Sequence, residues 1–159
     1  MAPRLNYVQL SSEHFKKFLD FSLGLKGAAL GETIRGLVDL RVSQINGCAL
    51  CLDMHVKEAK IRGERELRLH HVAIWRESPL FDPREKAALE WTETLTKIPP
   101  HGVSDELFAE TRRHFSEKEL SDLTFAVMTI NAWNRLNVAF RTEPGAQDKA
   151  LGLDKAGLI

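Results

Sequence analysis

The sequence predicts an all-α protein of one domain. Apolar residues recur at three- and four-residue intervals along most of the chain, which is the helical period. Proline, glycine and serine fall where helices start and stop. Strand signals are weak throughout, and the best of them, Asn6 to Leu10, is short. A chain of 159 residues suggests one domain, and 43% apolar content is enough to bury a real core.

The elements follow in order. Ser12 to about Leu30 carries Phe15, Phe18, Leu19 and Leu23 at helical spacing, and Gly31 punctuates it. Glu32 to Gln44 forms a second helix, with Ile34, Leu37, Val38 and Ile45 on or near one stripe. Asn46-Gly47 breaks the pattern as turn residues do, and a helix runs from Cys48 to Arg62, which contains neither proline nor glycine. Gly63 ends it, and Glu64 to Glu77 makes another helix, stopped by Ser78-Pro79. Asp82-Pro83 opens the next with an acidic N-cap and a proline in the first turn, and that helix extends to about Lys97. Ser104 and Ser116 are further N-caps, and Ser116 with Glu119 makes a capping box.

The helix from Glu117 to about Arg141 is the longest and most apolar. Leu120, Leu123, Val127 and Ile130 line one side, and Phe125, Met128, Ala132 and Leu136 another, so burial nearly all round is expected. Residues 1–145 are read as the domain. Residues 146–159, with proline, glycine and charged residues nearby, are read as a C-terminal surface arm.

Charge narrows the function. Twenty-two basic residues balance 22 acidic ones, which removes the electrostatic case for nucleic acid or an anionic membrane surface. No run approaches the ~18 apolar residues of a membrane span, and the first residues, MAPRLNYVQLSSEHFKKF, lack the apolar core of a signal peptide. A cytoplasmic protein is the expectation, and thiols in that reducing compartment are more often catalytic than structural.

The chemistry concentrates in Cys48-Ala-Leu-Cys51-Leu-Asp-Met-His55, which holds the only two cysteines. On a helix, 100° per residue sets Cys48, Cys51 and His55 on one face. Cys48 falls at the helix start, where unpaired N–H groups and the positive end of the dipole stabilise a thiolate. An ordinary thiol titrates near ~8.5, and this setting lowers that value. His55, one turn beyond Cys51, can take a thiol proton near neutral pH. As a structural staple the pair is poor, because the loop it closes is very short. As a zinc site it is incomplete, because adjacent His70-His71 lacks the usual ligand spacing. Buried, inert cysteines are the remaining bland reading.

Other polar residues stand near this motif. Glu58, three after His55, either orients the imidazole or pairs with Arg62. Glu32 and Asp39 on the preceding helix are candidates to reach the site across the fold. Asn131, Asn134, Asn137 and Arg135 interrupt the apolar helix, so they either lock packing by hydrogen bonds or line the thiol pocket. His14, His70, His71, His101 and His114 read as surface or packing residues, and Trp75, Trp91 and Trp133 as core or subunit contacts.

The stretch Ser43 to His55, SQINGCALCLDMH, resembles the signature of the alkylhydroperoxidase D (AhpD) family in the carboxymuconolactone decarboxylase superfamily. Trp75-Arg76-Glu77-Ser78-Pro79, Ala87 to Thr94 and Thr129 to Arg135 agree with it, so the resemblance spans roughly residues 5 to 145. It implies an AhpD-like helical fold with CxxC at the N-terminus of a central helix, assembled as homotrimers or homohexamers. It also implies a thiol peroxidase or disulfide reductase needing no metal or other cofactor. In that pattern Cys51 attacks the peroxide, Cys48 resolves the product to a disulfide and His55 relays protons. The family's usual glutamate, twelve residues before the first cysteine, is Gly36 here, and Glu32, one turn earlier, is the candidate to replace it. A position that is histidine in some members is Leu50.

Antioxidant hydroperoxidase, reduced by a lipoyl or thioredoxin-like dithiol protein, is therefore the leading expectation. Two alternatives stand beside it. One is a lactone decarboxylase-type lyase, which has no use for paired thiols. The other is a non-enzymatic helical oligomer whose dithiol senses redox state or binds a partner.

Overall fold

The computed structural model describes residues 2–25 and 29–158, which form helices and turns with no strand among them. The first helix, α1 (Tyr7–Leu10), occupies the segment that carried the best strand signal. The Asn6 side chain caps it by accepting from the Gln9 amide at 3.2 Å. Helix α2 (Ser12–Gly24) follows; the expected continuation toward Leu30 crosses 26–28, outside the described residues. Then come α3 (Glu32–Asn46) and α4 (Ala49–Ile61).

The segment expected as one helix to Glu77 divides into α5 (Glu66–His71) and a 3-10 turn, Val72–Ile74. The tighter turn delivers Trp75, whose indole N–H donates to Glu93 at 2.9 Å. Helices α6 (Pro83–Lys97), α7 (Asp105–His114) and α8 (Glu117–Phe140) start at the expected caps. Capping boxes are complete at Asp82/Glu85 and Ser116/Glu119.

Helix α3 is the centre: it packs against α4, α6 and α8. Its two faces serve two cores. Ile34, Val38 and Val42 join Ala88, Trp91, Leu123, Val127 and Ile130, and this larger cluster includes both cysteines. Leu37 and Leu40 join Leu69, Val72, Trp75, Phe81 and Leu89 on the other side.

Two expectations change. Helix α8 is not buried all round: Phe125 and Met128 are 44% and 49% exposed, while the Leu120, Leu123, Val127 and Ile130 face is inside. The apolar period alone does not say which face meets the body. The last residues also do more than trail over the surface. Helix α9 (Asp148–Leu151) and a 3-10 turn, Leu153–Ala156, fold back so that the turn packs on α4. Leu153 and Ala156 are buried there. Asp148 accepts from Lys57 at 2.7 Å, and the Gly145 amide donates to Asp53 at 3.1 Å.

Candidate active site

The site begins with a reversal. Gly47 adopts a left-handed conformation, φ 63°, that ends α3 without the strain a side chain would add. The Cys48 amide donates back to the Ser43 carbonyl at 3.1 Å, so the chain turns straight into α4. Cys48 is the N-cap of α4, and its Sγ accepts from the Cys51 amide at 3.3 Å. A sulfur thus takes the place of the usual capping oxygen at the positive end of the helix. Cys48 and Cys51 are joined as a disulfide, their Cα atoms 5.4 Å apart. Their residual exposures are 2% and 3%, so both cysteines are buried.

His55 stands on the next turn of α4. Its Nδ1 lies 2.8 Å from Glu58 Oε2, so Glu58 contacts the imidazole. That contact leaves Nε2 as the nitrogen available to exchange a proton. Desolvation pushes the His55 pKa down, but the Asp39 charge and the Glu58 hydrogen bond outweigh it, and the net shift is upward. Arg35, held by Asp39 at 2.9 Å, opposes them weakly.

On α3 the carboxylate whose charge bears on His55 is Asp39, itself paired with Arg35. Glu32 lies elsewhere, exposed in the first turn of α3 and lining a cavity of about 240 Å³ with Thr33, Gly36 and Arg62. The Arg62 guanidinium fills the space beside Gly36: a Cβ there would meet its Nη2 at 2.8 Å.

The α8 asparagines form a rail along α3. Asn46 Nδ2 donates to Asn131 and Asn134, each at 3.0 Å, and Asn134 Nδ2 donates to Ser43 Oγ at 3.2 Å. Asn131 Nδ2 donates to Thr96 Oγ1 at 3.1 Å, and Arg135 donates to Asn131 Oδ1 at 2.8 Å. These contacts pin the turn that presents Cys48, so packing and site are one network. The next asparagine in the row, Asn137, reaches the sulfur itself, donating from Nδ2 to Cys51 Sγ at 3.5 Å. Sequence reasoning gave no individual role to Asn137; its only signal was a polar residue inside an apolar helix.

The other histidines stand apart from this site. His71 bonds Ser78 at 3.0 Å, His114 faces Glu110 at 3.4 Å, and His14, His70 and His101 are exposed. Trp75 and Trp91 are core residues, and Trp133 packs on Phe15 and Phe18 of α2.

Fold and site together define an all-helical protein with a CxxC pair at a helix start. Comparison with known proteins agrees: the carboxymuconolactone decarboxylase family profile matches residues 12–94. Uncharacterized protein YdfG of Bacillus subtilis is 40% identical over 139 residues, covering 87% of this chain and 95% of its own. A solved structure from Agrobacterium tumefaciens superposes with a TM-score of 0.87 at 39% identity, covering 91% and 99% of the two chains. It is a protein of unknown function for which an AhpD-type role in antioxidant defence has been suggested. A peroxidase-related protein from Ralstonia eutropha, with an alkylhydroperoxidase AhpD core, shares the fold with a TM-score of 0.78 at 20% identity, over 88% and 75% of the chains. The chain belongs to the carboxymuconolactone decarboxylase family, as one of its AhpD-like members.

Proposed function

We propose that this protein is a thiol-dependent hydroperoxidase working through Cys51, Cys48 and His55. The observation that carries the reading is the buried Cys48–Cys51 pair at the start of α4, with an imidazole one turn along whose proton affinity is raised by Asp39 and Glu58. In the reduced protein His55 takes the Cys51 proton. The thiolate attacks the distal peroxide oxygen, an S–O bond forms and the O–O bond breaks. The departing alkoxide takes the proton from His55 and leaves as alcohol, or as water if the substrate is hydrogen peroxide. Sulfur is oxidised to a sulfenic acid by the two electrons the peroxide gains. The Cys48 thiol then displaces its hydroxyl, which leaves as water, and the disulfide closes.

A dithiol donor, of lipoyl or thioredoxin-like type, returns two electrons and two protons by exchange. No helix among the described residues is long and apolar enough to cross a membrane. The exposed apolar side chains Phe21 on α2 and Phe125 and Met128 on α8, with the Phe21 and Phe125 rings in contact, support a homo-oligomer, a trimer or hexamer, that covers them.

Steady-state peroxide consumption with a dithiol reductant tests the proposal. Cys51→Ser abolishes turnover, and Cys48→Ser permits one oxidation per subunit before the cycle stalls. A Cys51→Ser protein that turns over at the wild-type rate overturns it.

A further inference from the structure

We propose that the Asn137 side chain is a catalytic hydrogen-bond donor to Cys51, held in its working orientation by the hydroxyl of Tyr7. This rests on the reading of Cys51 as a reacting thiol and adds two residues from outside the CxxC helix. The amide orientation follows from its neighbours. Nδ2 lies 3.0 Å from the Trp133 carbonyl, which can only accept, so the NH₂ group must face that side. Oδ1 then faces away and accepts from Tyr7 Oη at 3.1 Å. The second Nδ2 proton points to Cys51 Sγ at 3.5 Å, within hydrogen-bond reach for sulfur.

Tyr7 is fixed in turn. Its ring stacks on Phe140 at 5.5 Å and meets Phe15 edge-on at 6.2 Å. The segment before it is tied to the end of α8 by the Arg4 amide, which donates to the Phe140 carbonyl at 2.9 Å. Burial raises the Tyr7 pKa, which keeps the phenol protonated and donating.

The two sulfurs thereby receive different donors. Cys48 has a backbone N–H at the helix start, and Cys51 has the Asn137 amide from α8. The charged groups bearing on His55 beside them are Glu58 on α4 and Asp39 with Arg35 on α3. From α8 the contact to sulfur is neutral, so Asn137 favours the Cys51 thiolate without becoming a competing base. When the disulfide opens, the electron pair left on Cys51 meets an N–H already in place.

The test reads thiolate formation with no peroxide present. In a Cys48→Ser protein Cys51 is the sole thiol, and its alkylation by iodoacetamide is followed against pH. Adding Asn137→Leu is expected to slow the reaction about tenfold near neutral pH and to move its midpoint upward. Adding Tyr7→Phe is expected to slow it about threefold in the same direction, by freeing the amide. In a Cys51→Ser protein, Asn137→Leu should leave Cys48 alkylation within about twofold, because Cys48 has its own donor. Equal slowing of both cysteines would mark a packing effect and overturn the proposal, as would unchanged Cys51 profiles. Should Asn137→Leu not fold, Tyr7→Phe decides alone: a wild-type profile there refutes the relay. Because peroxide takes no part, a failed hydroperoxidase assay leaves this result standing, and the reverse also holds.

Discussion

Replacing Glu93 with glutamine tests the frame that carries the cysteine helix. Glu93 sits on α6 with its side chain only 6% exposed. Its Oε1 accepts from Arg41 of α3 at 2.6 Å and from Trp75 at 2.9 Å, and its Oε2 accepts from Arg76 at 2.9 Å. Desolvation by itself would raise this carboxyl, but the donors Trp75, Arg76 and Arg41 prevail and hold it at about 2, against 4.5 for a free glutamate. That difference corresponds to roughly 3 kcal/mol at ~1.36 kcal/mol per unit. Arg76 is 50% exposed, so solvent screens part of the effect, and about 2 kcal/mol is the expected cost of Glu93→Gln at neutral pH. The sign follows from the depressed pKa. The contribution is complete above about 4.5 and disappears as pH falls toward about 2. Urea unfolding measured across that range should show two curves that are separated at neutral pH and converge in acid. A variant as stable as the wild type at neutral pH, with the same acid slope, would refute this accounting.

The remaining predictions concern the site and its supports. Because the His55 pKa is raised, its charged form adds stability below about 6.5, and that stability is lost as pH rises through the folded-state value. Glu58→Gln should lower the His55 titration midpoint, read by NMR of the imidazole; an unmoved midpoint would contradict the assigned contact. Gly36→Ala should stabilise α3 by up to about 1 kcal/mol, because only the end of the flexible Arg62 side chain has to move. A fall in melting temperature would show that Arg62 is held in place. Leu153→Ala should cost about 2 kcal/mol by emptying the contact of the C-terminal turn on α4, and an unchanged urea midpoint would show the tail to be dispensable.

The sequence was most legible where signals are local. The starts of α6 and α8 are set by residues within four positions: the Asp82 cap with its proline and the Ser116 capping box appear as read, and Glu85 adds a box at Asp82 that the sequence reading did not include. The cysteine motif spans eight residues at one helix start, so the sequence could place Cys48 at the N-terminal end of α4 and His55 one turn beyond Cys51. Misreadings fall where distant groups decide. Helix α1 is short, and its Tyr7 docks on Phe140 and Asn137 at the far end of the chain. The segment after α5 tightens where Trp75 meets Glu93 on α6. Glu32 and Asp39 both lie on α3, and which charge bears on His55 depends on how α3 packs against α4. Phe125 and Leu123 read alike in an apolar run, yet one is exposed and the other is inside.

If Cys48 and Cys51 are a working redox pair, one turnover with peroxide closes the bond between them. Reduced protein is mixed with one equivalent of a small alkyl hydroperoxide in a stopped-flow instrument, quenched by alkylation, and its cysteine peptides are weighed. The account predicts rapid conversion to an unalkylated Cys48–Cys51 disulfide, and in Cys48→Ser a sulfenic acid on Cys51. Peroxide left unconsumed, with both cysteines recovered as alkylated thiols, would contradict it.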